Sequence, residues 1–130
     1  MSGGSGGGWY VLVERMSAGH SDSTWSLDEK LHVDGGREQA LSRAEELSLS
    51  YADDQPGGGA LYGYLSFRTS ETSWLVELSR EFWFEDRDEP RTATKHVRIS
   101  VAQLVGSRET PPAEPPAGKK GILRRALGRD

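Results

Sequence analysis

Three histidines, one run of carboxylates and one glycine pair are the residues of this 130-residue chain whose types and spacing invite chemistry. His20 sits in "GHSDS" beside Ser21, Asp22 and Ser23, the three side-chain types of a hydrolase triad. A triad assembles its members by tertiary geometry, and neighbours in one loop do not reach each other in that way. His20 therefore reads as a solvated loop residue. His32 and His96 have no partner at metal-ligand spacing and fall on the polar sides of strands. "EDRDE" (85–89), with Glu81 nearby, is an all-oxygen set of the kind calcium and magnesium take. It lacks the central glycine and terminal glutamate of a calcium loop, and Pro90 and Arg91 follow it, so it reads as a charged turn. "VDGGRE" (33–38) places free N–H groups where a helix should start, which suits an anion. The dinucleotide fingerprint needs a fuller glycine pattern in a parallel βαβ unit, and Asp34 would repel a phosphate.

No nucleophile elbow, phosphate-binding loop or zinc-protease motif occurs, and there are no cysteines, which removes disulfides and thiolate chemistry together. No catalytic residue, metal or cofactor is assigned from the sequence.

The elements that would carry these residues follow from periodicity. "WYVLVER" (9–15) is aromatic and β-branched, a strand. From Thr24 to Val33 the apolar residues Trp25, Leu27, Leu31 and Val33 alternate. Glu29 falls on their side and points to a bulge or an exposed edge. Ala40, Leu41, Ala44, Leu47 and Tyr51 recur at helical steps, with Asp34 or Gly36 as the cap. "DDQPGGG" (53–59) ends the helix. Leu61, Gly63, Leu65 and Phe67 alternate in a further strand. Trp74, Val76, Leu78, Phe82 and Phe84 share one parity, in one strand or two, and residues 95–99 form the last strand. Ser100 is expected to cap a short helical turn through residues 101–105. The order β-β-α-β-β-β predicts a two-layer α+β domain: a mostly antiparallel sheet of about five strands with one helix on one face.

Four segments follow: a Gly/Ser leader (1–8), the domain (9–105), a proline-rich linker (106–117) and a basic amphipathic tail (118–130). Residues 1–118 hold 11 basic and 19 acidic side chains, a net of −8, whereas residues 119–130 carry +4. An acidic domain repels nucleic-acid backbones, so a nucleic-acid role would fall to the tail. Arginine outnumbers lysine 12 to 4, which points to a GC-rich bacterial source. With no secretory signal pattern, the expected location is the cytoplasm.

One helix about 10 Å across leaves one face of a five-stranded sheet uncovered. With Leu65, Phe67, Trp74 and Val76 facing the helix, the open face is expected to carry Tyr10, Leu12, Tyr62, Tyr64, Leu75 and Trp83. An apolar patch rimmed by charge marks an interface, and tyrosine and tryptophan are favoured anchors. In the tail, Ile122, Leu123 and Leu127 share a helical face, with Arg124, Arg125 and Arg129 on the rest, a form used by docking helices and membrane anchors. Three large apolar side chains bury little, so a membrane surface is the weaker partner. The expected function is a non-catalytic accessory or adaptor protein binding a protein partner or itself, as a homodimer, through the sheet face and the tail. The rivals are a small-ligand-binding or catalytic domain, with a pocket between helix and sheet where Glu29 or His32 would be buried, and a nucleic-acid accessory protein using the tail.

Overall fold

The computed structural model describes residues 7–18 and 23–117. β1 (Trp9–Ala18) and β2 (Ser23–Val33) precede α1 (Arg37–Ser50). Two short 3-10 turns, Tyr51–Asp54 and Gly59–Leu61, lead into β3 (Gly63–Ser70), β4 (Ser73–Phe82) and β5 (Arg91–Gln103). The strands form one open sheet in the order β2-β1-β5-β4-β3, and every pairing is antiparallel. This is the two-layer α+β build that the periodicity predicts.

The helix starts where the glycines release the chain. Gly35 takes φ +113°, a backbone region costly for any residue with a Cβ. Gly36 is the cap, and its N–H donates to Gln39 Oε1 at 2.8 Å, satisfying one of the orphan donors of the first turn. α1 then lies across β5, β1 and β4. Ala40 and Ala44, both wholly buried, let its backbone approach the sheet closely. Leu47 and Tyr51 complete that stripe and pack on Val11, Val13, Trp74, Val76, Leu78, Val97 and Ile99. Burying each such Val, Leu or Ile contributes about 1.5–3 kcal/mol before the entropy of ordering is counted. At the far end Gly59 seats the chain tightly: a Cβ there would lie 2.5 Å from the Cα of Asp53.

The irregularity expected at Glu29 is a β-bulge. Val13 pairs with Glu29 and Glu14 with Leu27, so Asp28 is the extra residue. The slip reverses the faces within β2. Glu29, Leu31 and Val33 lie on the helix side, while Trp25 and Leu27 pair with Met16 and Glu14 and lie on the other. The sequence alternation had placed all of these on one side. Arg15, also on the helix side, reaches Asp28 at 3.3 Å and Glu29 at 3.5 Å and so ties the bulge to β1.

Three further expectations need correction. Residues 101–103 form no helical turn. They extend β5, pairing Val101, Ala102 and Gln103 with Val11, Tyr10 and Trp9, because an edge of β1 would otherwise lose its partner. Residues 73–82 form one strand, which ends before Trp83 and Phe84. Phe82 and Phe84 are exposed and not part of the core. The parity expected for β3 is inverted: Tyr64, Ser66 and Arg68 stand opposite Leu78, Val76 and Trp74 on the helix side, and Leu65 and Phe67 stand opposite Glu77 and Leu75 on the open side.

Candidate functional site

The uncovered face of the sheet is the most distinctive surface of the domain. Its side chains form rows across the strands. One row runs Leu27, Glu14, Arg98, Leu75, Phe67, from β2 through β1, β5 and β4 to β3. A second runs from His96 on β5 through Glu77 to Leu65 on β3, with Met16 and Trp25 paired on the far strands. Lys30 and Leu12 stand in the next row with Ser100, and His32 and Tyr10 with Ala102.

Polar groups hold the middle of these rows and apolar groups the flanks. Arg98 Nε donates to Glu14 Oε1 at 3.0 Å, and the Arg98 guanidinium lies 4.3 Å over the ring of Trp25. His96 Nε2 and Glu77 Oε2 are 2.9 Å apart. Both pairs cross strands and are half-buried. The Arg98 and Glu14 charges offset each other within the sheet, and His96 and Glu77 use their polar atoms on each other. On either side the face is apolar. Leu65 is 55% exposed, Phe67 50% and Leu27 50%, while Leu75, Leu12 and Tyr10 are half-buried. At one corner Tyr10, Leu12 and Lys30 border a shallow groove of about 460 Å³ whose other wall is Ala102–Gly106. The Tyr10 ring meets His32 edge-on at 5.3 Å.

Three of the six residues assigned to this face from sequence are therefore on it: Tyr10, Leu12 and Leu75. The other three are elsewhere. Tyr62 packs against the core on the helix side, with Arg80 at 5.6 Å and Lys95 at 5.4 Å from its ring. Tyr64 is in register with Leu78, also on the helix side. Trp83 is exposed beyond the end of β4. The residues the sequence reading missed are Trp25, Leu27, Leu65 and Phe67. The cue for the first two was Glu29, whose misfit marked a bulge and hence a change of face. The tail residues Ile122, Leu123, Arg124, Arg125, Leu127 and Arg129, and His20, lie outside the described residues.

The chemistry considered from sequence finds little support in the geometry. Glu29 and His32 are not buried in an apolar cleft; their side chains are 41% and 53% exposed. Where helix and sheet meet there is a shallow, wide-open hollow of about 580 Å³ bordered by Val33 of β2 and by the polar residues Glu38, Gln39, Ser42, Arg43 and Glu46 of α1. It is unlike the enclosed apolar clefts of ligand sites. There is also a cavity of about 60 Å³ bordered by Arg15, Tyr51, Leu78 and Lys95, far below the roughly 300–1,000 Å³ of such sites. Tyr51 borders this cavity. Burial raises its pKa above the ordinary value of 10.0, against the pull of Arg15, with Glu29 and Asp28 adding to the rise. The Arg15 guanidinium lies 5.5 Å from its ring centre and is the group near the hydroxyl that opposes the rise. A hydroxyl that holds its proton so firmly is a poor base or nucleophile at neutral pH. Among the described residues, no group of three His, Asp or Glu gathers at metal-binding distance, and no helix is long and apolar enough to cross a membrane.

No family model, curated protein or solved structure matches the chain, so its function has to be argued from this geometry.

Proposed function

We propose that the chain is a non-catalytic accessory protein whose open sheet face binds a partner protein. The observation that supports this reading is the lone helix layer. Among the described residues the five-stranded sheet is covered on one side only, and its other side exposes Leu27 on one flank and Leu65 and Phe67 on the other, with Leu12, Leu75 and Tyr10 half-buried. Apolar groups gathered on both flanks of a polar stripe and rimmed by charge are of the kind that marks a contact surface. The Arg98–Glu14 pair and the His96–Glu77 hydrogen bond at its centre occupy their polar groups within the sheet, which fits a partner with an apolar surface. The same carboxylates disfavour a phosphate backbone.

The basic tail is the second contact in this reading. Its charge of +4 opposes the −8 of the remaining chain, so an acidic segment of the partner would engage the tail while an apolar surface of the partner meets the face. The setting is the bacterial cytoplasm, on the evidence of the arginine-rich, cysteine-free composition.

The test is affinity capture from cells of the native host, comparing the wild-type protein with Leu27→Glu and Leu75→Glu and with a chain lacking residues 118–130. The face reading expects one or more proteins retained by the wild type and lost with the face variants, with thermal transitions of the variants showing that they fold. Retention of the same proteins by the face variants would remove this face as the contact surface.

A further inference from the structure

The two edges of the sheet are built differently. β2, on one side, is blunted in the middle by the bulge at Asp28 and by three successive charged residues, Asp28, Glu29 and Lys30. Bulges and charges are the usual devices that keep an edge strand from pairing with another chain. β3, on the other side, has neither. It is the last strand of the sheet on that side, and from Gly63 to Phe67 it holds no charge and no proline. Every residue of it except half-buried Ser66 is exposed. α1 sits over β5, β1 and β4, so among the described residues no element covers the β3 edge and its outward backbone groups.

We propose that a second copy of this chain adds to the β3 edge, antiparallel and centred on Ser66, joining two sheets into one of ten strands. The occupant is read from the strand itself. A twofold axis through Ser66 places Leu65 opposite Phe67 of the second copy, Tyr64 opposite Arg68, and Ser66 opposite Ser66. Residues directly opposite in an antiparallel pair share a face. Leu65 and Phe67 lie on the open side and Tyr64 and Arg68 on the helix side. Each pairing is then complementary: apolar on apolar, small on small, and a cation beside an aromatic ring. Arg68 already makes such a contact within the chain, 5.2 Å from the Trp74 ring centre, while its Nε and Nη2 donate to the carbonyl oxygens of Ser70 and Glu71. An isologous interface requires this kind of self-complementarity, and no charge meets its like across the axis. Edge pairing also leaves both helices on one side and merges two open faces into one. This proposal does not depend on the partner-binding role of the open face. A dimer would present that face twice, and so would bind a repeated partner with avidity.

The chain has no cysteine, so a single engineered one reports on the pairing without interference. Directly opposite Cα atoms in an antiparallel pair lie about 4.5–5.5 Å apart, within the range a disulfide spans. Ser66→Cys is expected to form a linked dimer quickly under mild oxidation, and Ser42→Cys, on the exposed face of α1, is expected to do so at least tenfold more slowly. Light scattering of the unmodified protein is expected to give about twice 14.3 kDa. Ser66→Lys and Ser66→Glu, which set like charges together on the axis, are each expected to give monomers, and mixing the two should restore the dimer. Folding of every variant is checked by its thermal transition. A monomer mass for the unmodified protein up to 10 mg/ml (about 0.7 mM) overturns the proposal. So does a dimer that survives both Ser66 charge variants but dissociates in Leu27→Glu, which would move the interface to the open face.

Discussion

Arg98 and Glu14 are 84 positions apart in sequence and joined by a 3.0 Å hydrogen bond on the open side of the sheet. They stand directly opposite each other in the β1–β5 pairing, the seam that joins the N-terminal hairpin to the rest of the sheet. The pair fixes a register, because sliding β1 by one residue would separate them and turn Val11 and Val13 out of the core. Arg98 also covers the ring of Trp25 on β2, so one side chain bridges three strands.

That arrangement predicts unequal effects. Glu14→Gln removes a half-exposed ion pair and is expected to cost about 0.5–1 kcal/mol. Arg98→Ala removes the pair, the stacking on Trp25 and the packing of the aliphatic stem, and is expected to cost about 1–2 kcal/mol. Urea denaturation of the two single variants and the double variant gives the coupling. It should come out near 0.5 kcal/mol and shrink at 1 M salt. A coupling of zero would show that the pair does not hold the seam.

Gly59 makes a sharper case. A Cβ at this position would lie 2.5 Å from Asp53 Cα and 2.9 Å from the Asp53 carbonyl oxygen. Both are backbone atoms of the 3-10 turn that closes the helix, and neither can rotate aside. Gly59→Ala is expected to destabilise by about 1–3 kcal/mol. Gly106→Ala, where a Cβ meets nothing within 4 Å, is expected to leave stability within about 0.5 kcal/mol. Thermal melts of the two variants side by side decide the point.

Alkaline pH is expected to act through Tyr51. Burial raises the pKa of its hydroxyl, partly opposed by Arg15. The sign follows from which state loses the proton first. Below the unfolded value of about 10 both states keep it and the contribution to stability is complete. Above that value the unfolded chain releases the proton while the folded chain holds it, so stability falls as pH rises toward the folded value. In Tyr51→Phe this part of the alkaline loss disappears. At pH 7 the same substitution removes one buried hydroxyl beside Arg15 and is expected to change stability by no more than about 1 kcal/mol. Urea midpoints for both proteins between pH 8 and pH 11 measure the difference.

How far the sequence could be read depended on what set each period. The helix was legible because Ala40, Ala44, Leu47 and Tyr51 repeat at its pitch and face a large apolar sheet. β1, β4 and β5 were legible because they lie under that helix, where alternation is enforced by burial. β3 was misread for the opposite reason. It lies beyond the helix, both of its faces are exposed, and Tyr64 and Leu65 suit either side equally. Local pattern then carries no information on orientation, and only the pairing with β4 fixes it. The stretch from Trp25 to Val33 was misread because its period is broken by one inserted residue. Asp28 costs one step, and the two halves of the strand face opposite ways. The inverted parity of β3 and the end of β4 at Phe82 moved Tyr62, Tyr64 and Trp83 off the expected face, and the bulge brought Trp25 and Leu27 onto it, although the existence of an uncovered face followed from one helix and five strands.

The orientation of β3 yields the last prediction. Leu78 and Leu65 are the same residue type on neighbouring strands, but Leu78 is 1% exposed beneath the helix and Leu65 is 55% exposed on the open side. Leu78→Ala leaves a cavity in the packed layer and is expected to cost about 2–5 kcal/mol. Leu65→Ala removes little buried area and is expected to cost less than about 0.5 kcal/mol. The sequence alternation had expected Leu65 to face the helix, and on that view its loss would approach that of Leu78. Measuring both by urea denaturation therefore tests the inverted parity directly. If the open face serves binding, Leu65→Ala should also show its defect there, as weaker self-association or weaker partner retention at unchanged stability. A large loss of stability in Leu65→Ala would place this side chain in the core, and the uncovered face would lose an apolar residue of its β3 flank.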